Sequence, residues 1–305
     1  MYKYKDNIKY IKNYGIKIKV LQILTKIFNR IPELKKINIK LCDKKHEKIT
    51  EYLNKNYKYI IEKYKKEDTC KIKSNRIWVF WWQGIDSAPQ IVKKCISSIK
   101  KFSNNVTIIT KDNIFEFVNI EDYILEKLNK EIISKTHFSD ILRMKLLSKY
   151  GGYWIDATVF ISEDIFSDII GKEFYTPKLY KKDNLKMVSK GNWCGFFIGG
   201  ENVKIFQFVN EFFTEYWKKE SLLIDYFLID YIINIAYKNI IDIKEEIDNN
   251  EYNNQFIFKL NEILNKEYDE KVLLELYSKN KVHKLSYKDK INTEKKDTFY
   301  NKIFS

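Results

Sequence analysis

Proline and glycine are scarce in this 305-residue chain, at 3 and 9, and cysteine occurs only four times. So few helix and strand breakers predict long regular elements and argue against disorder. Cys42, Cys70, Cys95 and Cys194 form no CxxC pair. Neither a disulfide framework nor a zinc site is therefore expected, and a reducing compartment is. The three histidines, His46, His137 and His283, show no metal-ligand spacing. His46 is expected to be solvated on a basic helix, and His137 to cap or pack just before a helix start at Ser139. GxGxxG, P-loop and Ser/His/Asp signatures are all missing. The N-terminus lacks the apolar run of a secretory signal. The apolar run from Leu222 to Ala236 is broken by Asp225 and Asp230 and is too short to span a bilayer. These absences predict a soluble, cytoplasmic protein.

What is abundant is aromatic and basic: 22 Tyr, 20 Phe and 6 Trp, and a net charge of +14. The charge is uneven. Residues 1–74 hold 21 Lys/Arg against 8 Asp/Glu, whereas the other 231 residues hold 34 against 33. A basic helical extension over 1–74 with an anionic surface partner is the expectation. Within it, Val20, Ile23, Leu24, Ile27, Phe28 and Ile31 recur at helical spacing over 16–31, with Lys17, Lys19, Lys26 and Arg30 mostly off that stripe. Such a helix can lie on an anionic membrane or dock on the domain behind it. A second helix is predicted over 45–66. No nucleic-acid module accompanies the charge, so no nucleic-acid partner is expected.

From Arg76 the character changes. Ile77–Gln83 is an apolar, aromatic strand ending at Gly84; residues 91–102 read as a helix and 106–110 as a second strand. This is a βαβ unit, and ligands of open α/β sheets sit beyond strand C-termini. Trp82, Thr110 and Asp156 all fall near such ends. In the segment from Ser139 to Thr158, Asp140 and Arg143 lie three apart on a helix that stops at Gly151-Gly152. Residues 153–160 then alternate as a strand, which points Asp156 and Thr158 the same way. A carboxylate in so apolar a strand needs a partner or a cation. An ordinary ion pair beside a strand would meet that need, and so would a phosphorylated, anionic ligand held through a divalent cation. Further helices are predicted over 202–218, 221–243 and 257–280. His283, beside Lys284, is the one histidine considered for a diphosphate or metal role. Asp225 and Asp230 could approach an acceptor, although solvation on a helix surface is the plainer reading.

The runs IWVFWWQG, ISSIKKF, VTIITKDN, HFSDILRMKLLSKYGGYWIDATVF and IDYFLID resemble the capsular polysaccharide synthesis glycosyltransferases. These are similar to GT-A transferases with a DxD motif, such as the Och1-like mannosyltransferases and, more distantly, the large clostridial glucosylating toxins. The likeness covers roughly residues 75–290, and SDxLR followed by GGxWxD is its specific part. It implies an α/β fold: a GT-A-type, Rossmann-like nucleotide-sugar-binding domain over 75–305, with a helical C-terminal part. It implies a metal-dependent hexosyltransferase that moves a sugar, with retention, from a UDP-sugar or similar donor to a hydroxyl of a capsular or other surface glycan precursor, such as a lipid-linked one at the inner membrane face. Trp82 matches the tryptophan that stacks on the base. Asp140 and Arg143 match the pair that holds the donor sugar and diphosphate, and Asp156 the first DxD carboxylate. Thr158 stands where the second carboxylate is expected; a hydroxyl is a weaker ligand for the implied Mn²⁺ or Mg²⁺. His283 and Lys284 match the segment that closes over the diphosphate. The alternatives are a catalytically degenerate fold that binds nucleotide-sugar or glycan, and a basic membrane-surface protein.

Overall fold

The computed structural model describes residues 2–292 and 295–304. Four helices come first: α1 (Tyr2–Tyr14), α2 (Ile16–Phe28), α3 (Lys35–Asn56) and α4 (Lys58–Tyr64). The sheet-forming part opens with β1 (Ile77–Phe80), α5 (Gln90–Phe102) and β2 (Val106–Ile109). Then follow α6 (Ile114–Phe117), α7 (Asp122–Asn129), α8 (Lys135–Tyr150), β3 (Gly152–Ile155), β4 (Val159–Ile161) and α9 (Phe166–Ile169). The last third holds β5 (Phe197–Gly200), α10 (Lys204–Lys219), α11 (Leu228–Asn239), α12 (Ile241–Asn249), α13 (Lys259–Ile263), α14 (Glu270–Lys279), β6 (Val282–Lys284) and α15 (Phe299–Phe304).

The architecture is mixed α/β. The main sheet has the order β2-β1-β3-β5, with β2, β1 and β3 parallel and β5 antiparallel to β3; β4 and β6 form a separate antiparallel pair. The predicted βαβ unit is β1-α5-β2, with Ile77 opposite Val106 and Phe80 opposite Ile109. Alternation splits each strand between two cores. Trp78, Phe80, Trp154 and Ile198 enter one, with α8, α10, α11 and residues of α1–α4; Ile77, Val79, Tyr153, Ile155 and Phe197 enter the other, with α5, β4, β6 and α13–α15. A strand buried on both faces must be apolar throughout, which is why β1 reads IWVF. Tyr10, Ile49, Leu53 and Tyr57 belong to the same core as Trp217 and Tyr231. The helices before residue 74 are thus packed into the fold.

Three expectations are corrected. The strand over 153–160 is two strands in different sheets, because the chain turns at Asp156, where Val159 N–H donates to the Asp156 carbonyl at 2.9 Å. The helix over 221–243 starts only at Leu228 and breaks at Ile240. Before it, buried tyrosine hydroxyls replace helical hydrogen bonds. Tyr216 donates to the Leu222 carbonyl and accepts from the Ile224 N–H, each at 2.8 Å, and Tyr14 also donates to Leu222. The helix over 257–280 is α13 and α14 with a loop between them, and strand β5 lies where no element is predicted.

Candidate functional site

The helix that carries Asp140 and Arg143 begins earlier than Ser139. Ser134 is its N-cap, its hydroxyl accepting from the His137 N–H at 3.1 Å. His137 therefore sits in the first turn. Trp217 Nε1 donates to its Nε2 at 3.0 Å, and an indole can only donate, so the imidazole hydrogen is on Nδ1. That nitrogen faces the Asp140 carboxylate at 3.5 Å.

One turn on, Arg143 Nη1 meets Asp140 Oδ1 at 3.1 Å and Nη2 meets Asp156 Oδ1 at 3.2 Å. The guanidinium lies over the Trp154 ring at 5.1 Å, and Trp154 Nε1 donates to the same Asp156 oxygen at 2.9 Å. The arginine side chain is only 5% exposed. A charge so enclosed is tolerated because it is paired on both sides. One glycine admits the start of β3 beside Arg76, and another admits the guanidinium. Gly152 has φ +82°, and a Cβ there would fall 2.3 Å from the Arg76 carbonyl oxygen; a Cβ on Gly195 would fall 2.9 Å from Arg143 Nη1.

Lys284 completes the cluster from β6. Its ammonium donates to Asp156 Oδ2 and to Thr158 Oγ1, both at 2.7 Å. The register that sets Val159 opposite Lys284 aims this side chain at the turn. Burial alone would raise the Asp156 pKa; the Lys284 and Arg143 charges, with hydrogen bonds from Lys284 and Trp154, more than offset it and hold the carboxyl below its usual range. Asp156 is an anion between two cations. It and Thr158 come together through a tight turn, not through strand alternation, and they lie beyond the C-terminal end of β3.

Other expected residues fall elsewhere. His283 points away from Lys284, as neighbours on a strand must. It is fully buried, between Phe160 and Tyr277, with Nε2 paired to Ser162 Oγ at 3.0 Å, and burial pushes its pKa down to about 4. The expectation that it ligates a metal beside Asp156 is corrected on that geometry. Thr110 ends β2 in a turn closed by Asn113, whose Oδ1 accepts from the Thr110 N–H at 2.8 Å. Trp82 follows β1, half-buried, edge-on to Phe138 at 5.7 Å and beneath the Lys135 ammonium at 5.7 Å, and so stands at the start of α8. His46 is not solvated: its ring nitrogens meet Tyr231 Oη at 2.7 Å and the Lys186 carbonyl at 3.0 Å.

The two later aspartates are buried as well, which corrects their reading as solvated. Asp225 pairs with Lys45 at 3.1 Å. Asp230, 8% exposed, accepts from Trp193 Nε1 at 2.9 Å. Burial pushes its pKa up to about 7; the hydrogen bond from Trp193 works against this, Asp140 adds to the rise and Arg143 opposes it. Sequence reasoning missed Tyr226 entirely. It lies on the irregular loop before α11, 59% exposed, and its pKa is raised by partial burial and then by the charges of Asp140 and Asp156. Its signal was present in IDYFLID, where a helix was read instead.

The donor set can be tested for a metal. Asp156 Oδ1 already accepts two donors, Oδ2 accepts Lys284, and Thr158 Oγ1 accepts the same ammonium. Among the described residues no group of three or more His, Cys, Asp or Glu could hold a metal ion. One carboxylate and one hydroxyl, both held by a lysine, do not fit a resident metal. The arrangement does suit an incoming dianion, which Lys284 and Arg143 would meet as a pair of cations. Among the described residues no helix is long and apolar enough to cross a membrane.

No curated protein matches the chain. No solved structure matches it. A family model described as capsular polysaccharide synthesis protein matches residues 30–303, taking in α3 and α4 as well as the sheet and the Asp156 cluster. That covers well over half the chain, so the protein belongs to the capsular polysaccharide synthesis protein family, with a role in making such polysaccharides.

Proposed function

We propose that this protein is a GT-A-type glycosyltransferase. It moves a sugar from a nucleoside diphosphate donor, UDP being the favoured nucleotide, to a hydroxyl of a growing capsular glycan. The observation that carries this reading is the cluster Asp140–Arg143–Asp156–Lys284 beyond the end of a parallel strand. Two cations are held ready there by carboxylates that fix their positions, and a diphosphate is the ligand whose charge and span suit such a pair.

In this mechanism the bond between sugar C1 and the diphosphate oxygen breaks with its electron pair on the diphosphate. A new C1–oxygen bond forms to the acceptor hydroxyl, whose proton passes to the departing diphosphate oxygen. Negative charge grows on the leaving diphosphate, and Lys284 and Arg143 stabilise it there at little reorganisation cost. Asp140 and Asp156 orient the cations, with Asp156 facing the donor ribose. Trp82 stacks on the base, and Tyr226 flanks the sugar. A divalent cation, Mn²⁺ or Mg²⁺, would accompany the donor as the counter-ion of its diphosphate, and no step depends on a metal resident in the protein. Stereochemistry is retained at C1.

Donor hydrolysis by the purified protein, screened over nucleotide sugars, tests the reading. Wild type should release nucleoside diphosphate, and Asp156→Ala should lower that rate at least ~100-fold, since one preorganised electrostatic group of this kind is worth about 10²–10³. Unchanged turnover in the variant would remove the site. Donor binding, seen as a thermal shift without any hydrolysis or transfer, would favour the degenerate binding module that Thr158 invites.

A further inference from the structure

Helix α2 is apolar on two opposite sides, and only one of them is used by the fold. Ile18 and Thr25 are buried against the neighbouring helices, and Leu21, Leu24 and Phe28 are partly buried beside them. Gln22 Nε2 ties the helix to the loop before α11 by donating to the Ile224 carbonyl at 2.7 Å. The opposite side carries Ile16, Val20, Ile23 and Ile27, which are 44–55% exposed, and Ile31 extends the row past the helix end at 37%. At 100° per residue the four helical positions fall within one narrow arc pointing outward. The stripe expected from sequence is therefore split: Leu24 and Phe28 dock, whereas Val20, Ile23, Ile27 and Ile31 do not. Exposed aliphatics elsewhere, such as Ile170 and Ile241, stand singly, which is ordinary for a surface.

Charge decides what such a row would meet. Lys17 projects on one flank of it and Lys19 and Lys26 on the other, with Arg30 at its end. Lys17, Lys26 and Arg30 have no ion-pair partner among the described residues. Lys44, Glu47 and Lys48 of α3 line the groove beside Ile16, Lys17 and Val20; Lys48 is paired with Glu51 at 2.8 Å, so Lys44 is the basic side chain that α3 adds to the flank. A symmetric contact between two copies would set lysine flank against lysine flank, and a nucleic acid would leave the isoleucines without a partner. An aliphatic row between basic flanks matches a bilayer interface, where isoleucines enter the acyl boundary and lysines meet anionic headgroups. With 13 residues the helix is about 20 Å long, which suits lying flat along a surface.

We propose that the outward face of α2, centred on Val20, Ile23 and Ile27, docks this protein on an anionic lipid surface. The proposal goes beyond the transfer reading and does not rest on it. Flotation of the full-length protein with vesicles of phosphatidylcholine alone, or of phosphatidylcholine with phosphatidylglycerol, tests it without any nucleotide sugar. The expected result is flotation with the mixed vesicles only, weakening as salt is raised. Ile23→Ser/Ile27→Ser should lower vesicle partition by about 10-fold or more, and Lys17→Glu/Lys26→Glu should do the same. Melting and donor hydrolysis should stay unchanged in both variants, because these side chains face outward. Wild-type protein that ignores the mixed vesicles would overturn the proposal, and so would variants that float as well as wild type. A concentration-dependent dimer abolished by Ile23→Ser/Ile27→Ser, with no flotation, would assign the face to a second copy instead.

Discussion

Asp156, partly buried, and Asp230, buried, each accept a hydrogen bond from an indole N–H, at 2.9 Å in both cases. Yet burial and its surroundings drive them apart, Asp156 below the usual carboxylate range and Asp230 up to about 7. The difference lies in cations. Asp156 pairs with Arg143 and Lys284, whereas Asp230 has no ion pair among the described residues; it accepts from Trp193 and feels Asp140 and then Arg143 at longer range. One carboxylate is built to stay charged and to hold two cations in place. The other keeps a proton near neutrality, beside the same helix. What the pair teaches is that enclosure does not fix an acid's state; the nearest cations do.

The largest effect should come from removing the cation that separates them. Lys284→Met leaves Asp156 with Arg143 as its one remaining cation and takes one positive charge from the proposed diphosphate site. Donor hydrolysis should fall at least ~100-fold. The fold should lose about 2 kcal/mol, less than the roughly 3–5 of a fully buried pair, because these side chains are still 20% and 26% exposed. A urea melt and a hydrolysis assay on the same sample would separate the two losses. If turnover survived while stability fell, Lys284 would be a structural partner of Asp156 only.

The next effect is one of pH. The Asp230 proton is held up to about 7, well above its unfolded value near 3.8. Below about 4 the group is protonated in both states and costs nothing. As pH rises from about 4 to 7 the unfolded chain ionises first, so this site lowers stability by about 1.4 kcal/mol per pH unit. Asp156 works in the opposite direction: its stabilisation is present above the unfolded value and is lost only as pH falls below the usual carboxylate range. Asp230→Asn keeps an acceptor for Trp193 and removes the charge. The variant should be more stable than wild type at pH 8, by about 2–4 kcal/mol, and should match it near pH 4. Denaturant melts across that range would show this as a flattened slope, and parallel curves for the two proteins would mean that Asp230 is ionised throughout.

The contrast also explains which parts of the molecule were readable from the sequence. Asp140, Arg143 and Asp156 could be found because local rules suffice for them: three residues along one helix, a glycine stop, and a polar group closing an apolar strand. The βαβ unit followed from alternation within β1 and β2. Lys284 and His283 could not be separated that way, since which of two neighbours faces the site depends on the register of β6 against β4, more than a hundred residues earlier. Nor could Asp230. Its burial depends on Trp193, and the loop before it is irregular because tyrosines from α1 and α10 take over its backbone hydrogen bonds. Long-range partners carry that information, and composition does not register them.

The smallest expected effect bears on the oxygen shared with Asp156. Thr158→Val keeps the shape of the turn and removes one of the two acceptors of the Lys284 ammonium, while Asp156 keeps the other. A single hydrogen bond to a charged group that retains another partner is worth about 1 kcal/mol, so stability should fall by about that much and hydrolysis by no more than several-fold. The informative reading is the concentration of Mn²⁺ or Mg²⁺ at half-maximal rate. If the cation travels with the donor, its main ligands are diphosphate oxygens, and that concentration should be the same in Thr158→Val and wild type. A clear rise in the variant would mean that Thr158 ligates the ion directly and that Lys284 gives way when the donor arrives. The Asp156 side of the comparison would then hold its cation from a metal, and the lysine would be a placeholder for it.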